Sequence, residues 1–348
     1  MMESNQKDNM FMLEKEFIEP RNLCDASGAL LNSSIGWSRQ PIFNCNLRGR
    51  TFRKKKWNYW YMVNDSLLFS ITVSNLDYIG MIFTYAYDFK TGKFMEKTVA
   101  VPFGRNCNLP NNVHESIHFE NKDMQVLFDE VKGNTHIQVS TKDFGGQPLS
   151  ADLIVYHPKN HETMNVVIPW SNHVFQFTSK HNCLPVKGSV EFMGSTYTYD
   201  AQTDYANLDF GRGIWPYQSM WNWATASGLQ EGHSVGLNLG GTWTDGTGLT
   251  ENALLIDGHI TKLSEKVDFH YDVSNLMSPW IIKTHISSSV DLKFTPIYNR
   301  SAETNAFVLK SSVHQMMGTF NGTIISDSGH QIHIENLRGC SEEHYAKW

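Results

Sequence analysis

W-N-Y-W-Y-M-V (Trp57–Val63), L-L-F-S-I-T-V (Leu67–Val73) and I-G-M-I-F-T-Y-A-Y (Ile79–Tyr87) follow one another with only short polar stretches between them. Each run is rich in aromatic and β-branched side chains, which suit a pleated, half-buried surface. The separators Asn64-Asp65-Ser66, Ser74 to Asp77 and Lys90-Thr91-Gly92-Lys93 carry the chemistry of hairpin turns. Working outward, V-H-E-S-I-H-F from Val113, M-Q-V-L-F from Met124, T-H-I-Q-V-S from Thr135, A-D-L-I-V-Y from Ala151 and M-N-V-V-I-P-W from Met164 continue the pattern. No long amphipathic stretch of helical period interrupts it. The chain is predicted to be all-β.

The second half repeats the first in outline. W-N-Y-W at Trp57 returns as W-N-W-A at Trp221, and L-L-F-S-I-T-V from Leu67 as H-S-V-G-L-N-L from His233. Turns at Asp88–Lys93 and Ile256–His259 follow at similar distances. A glycine-led strand then begins at Gly188 and at Gly322, each followed by an N-L dipeptide, Asn207-Leu208 and Asn336-Leu337. The order predicts two tandem antiparallel β-barrel or sandwich modules, since closing a sheet removes its exposed edges. The modules are expected to meet near residues 200–215. Residues 1–20 read as a flexible polar lead, 21–208 as the first module with a loop-like N-terminal segment, and 209–348 as the second.

With 348 residues, 41% of them hydrophobic, the chain can bury a sizeable core, and its formal charge of −6 argues against a nucleic-acid partner. The basic run Arg48 to Lys56 reads as a solvated loop leading into a strand. No apolar run approaches the ~18 residues of a membrane helix, so no integral membrane segment is expected. M-M-E-S-N-Q-K-D-N-M lacks the basic and apolar regions of a signal peptide. The five cysteines (Cys24, Cys45, Cys107, Cys183 and Cys340) are odd in number, scattered and without C-x-x-C. That pattern suits reduced thiols and a cytoplasmic setting. Histidines 157, 161, 173 and 181 cluster in sequence, but Pro158 follows His157 and no recognisable zinc spacing is completed. Phosphate-loop, dinucleotide and G-x-S-x-G signatures are missing. Neither a metal nor a cofactor is expected.

One stretch, Asp209 to Asn252, concentrates large aromatics, glycines and a few ionisable groups: D-F-G-R-G-I-W-P-Y, then W-N-W, then G-G-T-W-T-D-G-T-G-L-T-E-N. Ligand pockets have that make-up, mostly apolar with a few placed polar groups. Asp209 and Arg212, three apart between glycines, read either as a structural ion pair or as a carboxylic acid at a pocket mouth whose pKa Arg212 sets. Trp221 and Trp223 would share one face of a strand. Trp215, Tyr217 and Trp243 are either core or pocket wall. Glu251 and Asn252 follow a glycine-rich hairpin, and Glu251 is the better proton donor if Arg212 holds Asp209 ionised. Glu343 and His344 fall near where the repeat places an equivalent of the Asp209 loop; they read as a proton-transfer pair or as a terminal surface pair.

G-W-S-R-Q-P (Gly36–Pro41), K-H-N-C-L-P-V-K-G (Lys180–Gly188), L-D-F-G-R-G-I-W-P-Y (Leu208–Tyr217), T-E-N (Thr250–Asn252), M-S-P-W (Met277–Trp280), F-T-P (Phe294–Pro296) and the H-Q-x-x-G-x-F-x-G string from His314 span almost the whole chain. Together they resemble the bacterial family known as domain of unknown function 2804. The plan is more distantly similar to the lipocalin-like tandem barrels of carotenoid hydratases and tocopherol cyclases. Taken with the aromatic-plus-carboxylate stretch, that analogy of fold leads us to expect a barrel cavity for an apolar small molecule, with Asp209 and Glu251 as its catalytic carboxylates and Arg212, Trp215, Tyr217, Trp221, Trp223, Trp243 and Asn252 around the ligand. Acid-base hydration, cyclisation or isomerisation is one expectation, and a non-catalytic carrier or sensor of a lipophilic ligand is the other.

Overall fold

The computed structural model describes residues 14–306 and 309–348. Most of the flexible lead expected at 1–20 lies outside them. From Glu14 onward the chain is tied down: Glu16 bridges to Trp37, Phe17 is buried, and the Glu14 carboxylate accepts from the Lys262 ammonium at 2.9 Å.

Two large antiparallel sheets make up most of the molecule, each curled into a half-barrel, beside a short parallel pair of Arg21–Asn22 with Phe43–Asn44. In the first, the hairpins predicted from Trp57 form a meander of Lys54–Val63, Leu67–Asn75, Ile79–Asp88 and Lys93–Pro102. A second run of strands returns through Gln147–Val155 and the 19-residue Val174–Phe192 to Tyr205–Ile214, which pairs with Lys54–Val63. The second sheet repeats the plan. Gln218–Gln230, His233–Gly241, Ala253–Ile256 and His259–Lys262 form its meander, and the last strand, Gln331–Lys347, pairs back onto Gln218–Gln230. Gly188 and Gly322 sit at matching places with φ of +136° and +140°. A Cβ there would strike the neighbouring strand's carbonyl oxygen, of Asp152 or Asp291, at 2.1 Å.

The all-β, two-module expectation holds. The chain crosses from one sheet to the other at Trp215-Pro216-Tyr217, so the strand Tyr205–Ile214, which a division at 208/209 would cut, lies whole in the first sheet. The N-L dipeptides are not equivalent positions. Aligning Trp57-Asn58 with Trp221-Asn222 pairs Asn207 with Tyr61 but Cys340 with Thr225, so the match falls four residues beyond Asn336.

The strand Lys54–Val63 is buried on both faces, which is why its sequence reads as an almost unbroken aromatic run. Trp60 and Met62 enter the core of the first module, while Tyr59, Tyr61 and Val63 face the second module beside Trp223, Met317 and Cys340. A bulge between His181 and Leu184, with Cys183 at φ +53°, turns Asn182 out of the first sheet. Its amide lies within hydrogen-bond reach of Ala226 O, Leu237 O, Thr225 Oγ1 and Asn207 Oδ1. Bulges re-aim a side chain in this way; here the re-aimed amide joins the modules.

Candidate functional site

Between the two sheets lies a cleft of about 430 Å³. Trp57, Tyr59 and Phe83 line it from the first module, Trp221, Trp223 and Trp348 from the second, with Arg300, Gln315, Glu342 and His344 among them. From these walls inward, six of the ten tryptophans (57, 170, 215, 221, 243 and 348) form one contiguous cluster around Trp215.

The internal repeat places two related charged sites on the cleft's flanks. In the first module Asp209 stands in register between Tyr59 and Lys180; in the second Glu342 stands between Trp223 and Gln315. Each carboxylate accepts from the tryptophan two residues before its in-register aromatic. Trp57 Nε1 donates to Asp209 Oδ1 at 3.1 Å and Trp221 Nε1 to Glu342 Oε1 at 3.0 Å. Where Trp57 needs space its partner is Gly211; opposite Trp221 stands His344, its ring 4.1 Å from the indole.

On the Asp209 side the Lys180 ammonium lies 2.6 Å from Asp209 Oδ2 and 3.3 Å from Glu251 Oε2, and 4.5 Å from the centre of the Trp223 ring. Trp243 Nε1 donates to Glu251 Oε1 at 2.7 Å. Burial pulls the Lys180 pKa down, but the charges of Asp209 and Glu251 outweigh it, so the group sits above the ordinary lysine value. The cluster is an ammonium shared by two carboxylates behind Trp57 and Trp223.

On the Glu342 side the arrangement opens onto the cleft. His344 Nδ1 faces Glu342 Oε1 at 3.4 Å and its Nε2 meets Ser311 Oγ at 2.8 Å. Gln315 Nε2 donates to Glu342 Oε2 at 3.1 Å, and the Tyr85 hydroxyl donates to Gln315 Oε1 at 2.6 Å. Burial pushes the Glu342 pKa up, yet the hydrogen bond and charge of His344, the Trp221 N–H and the charge of Arg300 pull it further down, so the carboxylate stays ionised. Arg300 is itself clamped by Glu96 in a two-pronged ion pair.

A profile of the family described as domain of unknown function (DUF2804) matches residues 14–348. The chain belongs to the DUF2804 family. No curated protein matches it in sequence. Among solved structures, this DUF2804 chain is similar to one assigned as AttH from Nitrosomonas europaea, at 14% identity and a TM-score of 0.52, covering 84% of this chain and 92% of that one. It is also similar to kievitone hydratase from Nectria haematococca (9% identity, TM-score 0.48) and to CghA (10%, 0.40), each over 84% of this chain and 88% of the other. These likenesses are of fold.

Within this DUF2804 fold the residues singled out from sequence fall into separate places. Asp209 and Glu251 meet on Lys180. Trp221 and Trp223 line the cleft together, as period-two alternation requires. Trp243 holds Glu251 from behind, and Trp215 anchors the tryptophan cluster by donating to Gln176 Oε1 at 2.8 Å. Arg212 does not pair with Asp209. Their segment is a strand rather than a turn, and residues three apart on a strand point to opposite faces. Arg212 enters the first module's core, donating to Pro110 O, Trp57 O and Asn58 Oδ1 over the Phe210 ring, where burial pulls its pKa down to about 9. Tyr217 is half exposed beside Lys347. Asn252 serves the backbone, accepting from Gly240 N–H and donating to Glu265 O. Glu343, one residue off the repeat-equivalent position, accepts from the Tyr271 hydroxyl on the far face. Lys180, Ser311, Gln315 and Glu342 were missed; Lys180 and Gln315 stand inside the quoted K-H-N-C and H-Q strings, but only the register gives them partners.

Proposed function

We propose that the chain is an enzyme that binds an apolar small molecule in the cleft between its sheets and moves protons on it through His344. The reaction class is addition or loss of water, cyclisation or isomerisation. The observation that carries this reading is the His344 ring: an ionised buried carboxylate backs Nδ1, while Nε2 bonds a hydroxyl that lines the same aromatic cleft. A carboxylate beside one imidazole nitrogen stabilises the imidazolium, leaving the other nitrogen to exchange protons. Trp221 packs on the ring, its centroid 4.1 Å away, and holds it in place. Ser311 Oγ occupies the position from which a substrate hydroxyl or an added water would meet Nε2.

A serine on a histidine backed by a glutamate also suggests acyl transfer. That chemistry needs N–H donors aimed at an oxyanion. Ser311 lies inside a sheet ladder, paired with Ala346 on one side and Thr304 on the other, so the local backbone is committed to strand pairing. The Asp209–Lys180–Glu251 cluster holds Trp57 and Trp243 in place and fixes the charge behind the wall, a positioning role.

The test incubates wild type and His344→Gln with a lipophilic cell extract and follows it by liquid chromatography and mass spectrometry. Wild type is expected to convert at least one component, by gain or loss of water or with unchanged mass. The variant is expected to retain that component without converting it. Equal behaviour of the two proteins, with capture but no conversion, makes the chain a carrier.

A further inference from the structure

We propose that His114, Glu130 and His157 form a binding site for a divalent transition cation of the zinc type, on the first module and apart from the cleft. The three come from separate segments. His114 precedes the strand Ile117–Glu120, Glu130 lies on Gln125–Val131, and His157 follows Gln147–Val155. One ligand atom from each lies within 4.8 Å of the others. The imidazole rings of His114 and His157 stand 4.9 Å apart and nearly perpendicular, and His114 Nδ1 is 3.9 Å from Glu130 Oε2. Zinc bonds of about 2.0–2.1 Å put tetrahedral ligand atoms roughly 3.3–3.5 Å apart, so closure asks for side-chain movements of about an ångström.

The hydrogen bonds prepare the donors. Thr135 Oγ1 lies 2.6 Å from Glu130 Oε1 and 2.8 Å from His157 Nε2. A hydroxyl has one proton, and an ionised carboxylate can only accept it. His157 Nε2–H must then donate to Thr135, which leaves Nδ1 as the ring nitrogen with a free lone pair. Such outer hydrogen bonds set the tautomer and orientation of metal-binding imidazoles.

A second observation points the same way. His181 is 1% exposed, its ring is 5.9 Å from that of His114 and 6.4 Å from that of His157, and its Nδ1 has no hydrogen-bond partner among the described residues. Its Nε2 is fixed by Ser179 Oγ at 2.8 Å. A buried imidazole nitrogen without a partner thus stands next to the three donors, outside their 4.8 Å group but one side-chain shift from it. Entry is provided at His114, whose side chain is 45% exposed and borders a surface groove of about 650 Å³ with Asn112 and Glu115. Imidazole with one carboxylate suits zinc or cobalt rather than magnesium or calcium, which prefer all-oxygen shells.

The experiment titrates chelator-stripped full-length chain with Co²⁺, followed by visible absorption, then displaces the Co²⁺ with Zn²⁺. One Co²⁺ per chain is expected, with Mg²⁺ failing to compete. Glu130→Gln and His157→Ala are expected to weaken binding by about tenfold or more, while His136→Ala, on the same sheet but paired with Asp152, leaves it unchanged. X-ray absorption of zinc-loaded wild type needs no variant and is expected to show a nitrogen and oxygen shell with imidazole scattering. Absence of saturable one-to-one binding, equal binding by the Glu130 and His157 variants that fold, or a sulfur shell would each overturn the proposal.

Discussion

Lys180 places its positive charge between two largely buried carboxylates, Asp209 and Glu251. Removing one member of such a set strands the others, whereas removing all of the charge together costs far less. Lys180→Met is therefore expected to destabilise the fold by about 3–5 kcal/mol, and the triple change Lys180→Met, Asp209→Asn, Glu251→Gln to recover most of that loss, measured by urea unfolding. The same group fixes a pH dependence. Burial lowers the Lys180 pKa and the two carboxylates more than restore it, so the folded-state value lies above 10.5. Its contribution to stability is complete below 10.5 and is lost as pH rises through the folded value. Wild type is expected to lose stability more steeply than Lys180→Met above that pH; parallel curves would show that Lys180 does not carry the effect. Sequence reading found both carboxylates but gave Asp209 the wrong cation. Three residues separate Asp209 from Arg212, and a turn would have joined what a strand holds apart. Lys180 is 29 residues from Asp209 along the chain, a distance only strand register can close.

At the scale of the element, two devices decide how the strands meet. Gly211 is where the Trp57 ring lies flat on the neighbouring strand: an added Cβ would stand 2.1 Å from ring atoms. Gly211→Ala is expected to push Trp57 off Asp209 and to cost roughly 1–3 kcal/mol as overpacking. A red-shifted tryptophan emission should accompany the lower urea midpoint; an unchanged spectrum and midpoint would show that the indole does not need that space. The second device is the bulge at Asn182, whose amide donates into the second module. Asn182→Ala removes a buried amide that donates across the modules and is expected to cost about 1–3 kcal/mol, with differential scanning calorimetry separating two transitions where wild type shows one. The strands themselves were legible, because period-two aromatic runs and polar turns are local signals. The bulge was not: K-H-N-C reads as ordinary strand until Cys183 is seen in the left-handed region. The metal-type cluster was hidden for a similar reason, since spacing rules compare neighbours in sequence and His114, Glu130 and His157 are neighbours only across strands.

For the whole molecule, all five cysteines are free and buried, and burial pushes Cys183 up to about 12 and Cys107 to about 11. Thiol reagent is expected to find almost none of them in the native protein and all five after denaturation without reductant; rapid native reaction would show an open interface. The tandem plan was visible in the two W-N motifs, and the register extends it to a pair of carboxylate sites of which only the Glu342 one carries a histidine facing the cleft. The cleft itself needs both sheets, a property of the assembled chain that no single segment displays. We place the apolar ligand in this cleft, and fluorescence titration with the neutral probe N-phenylnaphthylamine tests that placement most directly. Val313 lines the cleft in register with His344, so Val313→Trp fills the space without replacing a charged group. Wild type is expected to bind one probe per chain with energy transfer from tryptophan, and Val313→Trp to bind at least about tenfold more weakly, a difference of about 1.4 kcal/mol. Probe binding by Val313→Trp as tight as by wild type would contradict the account.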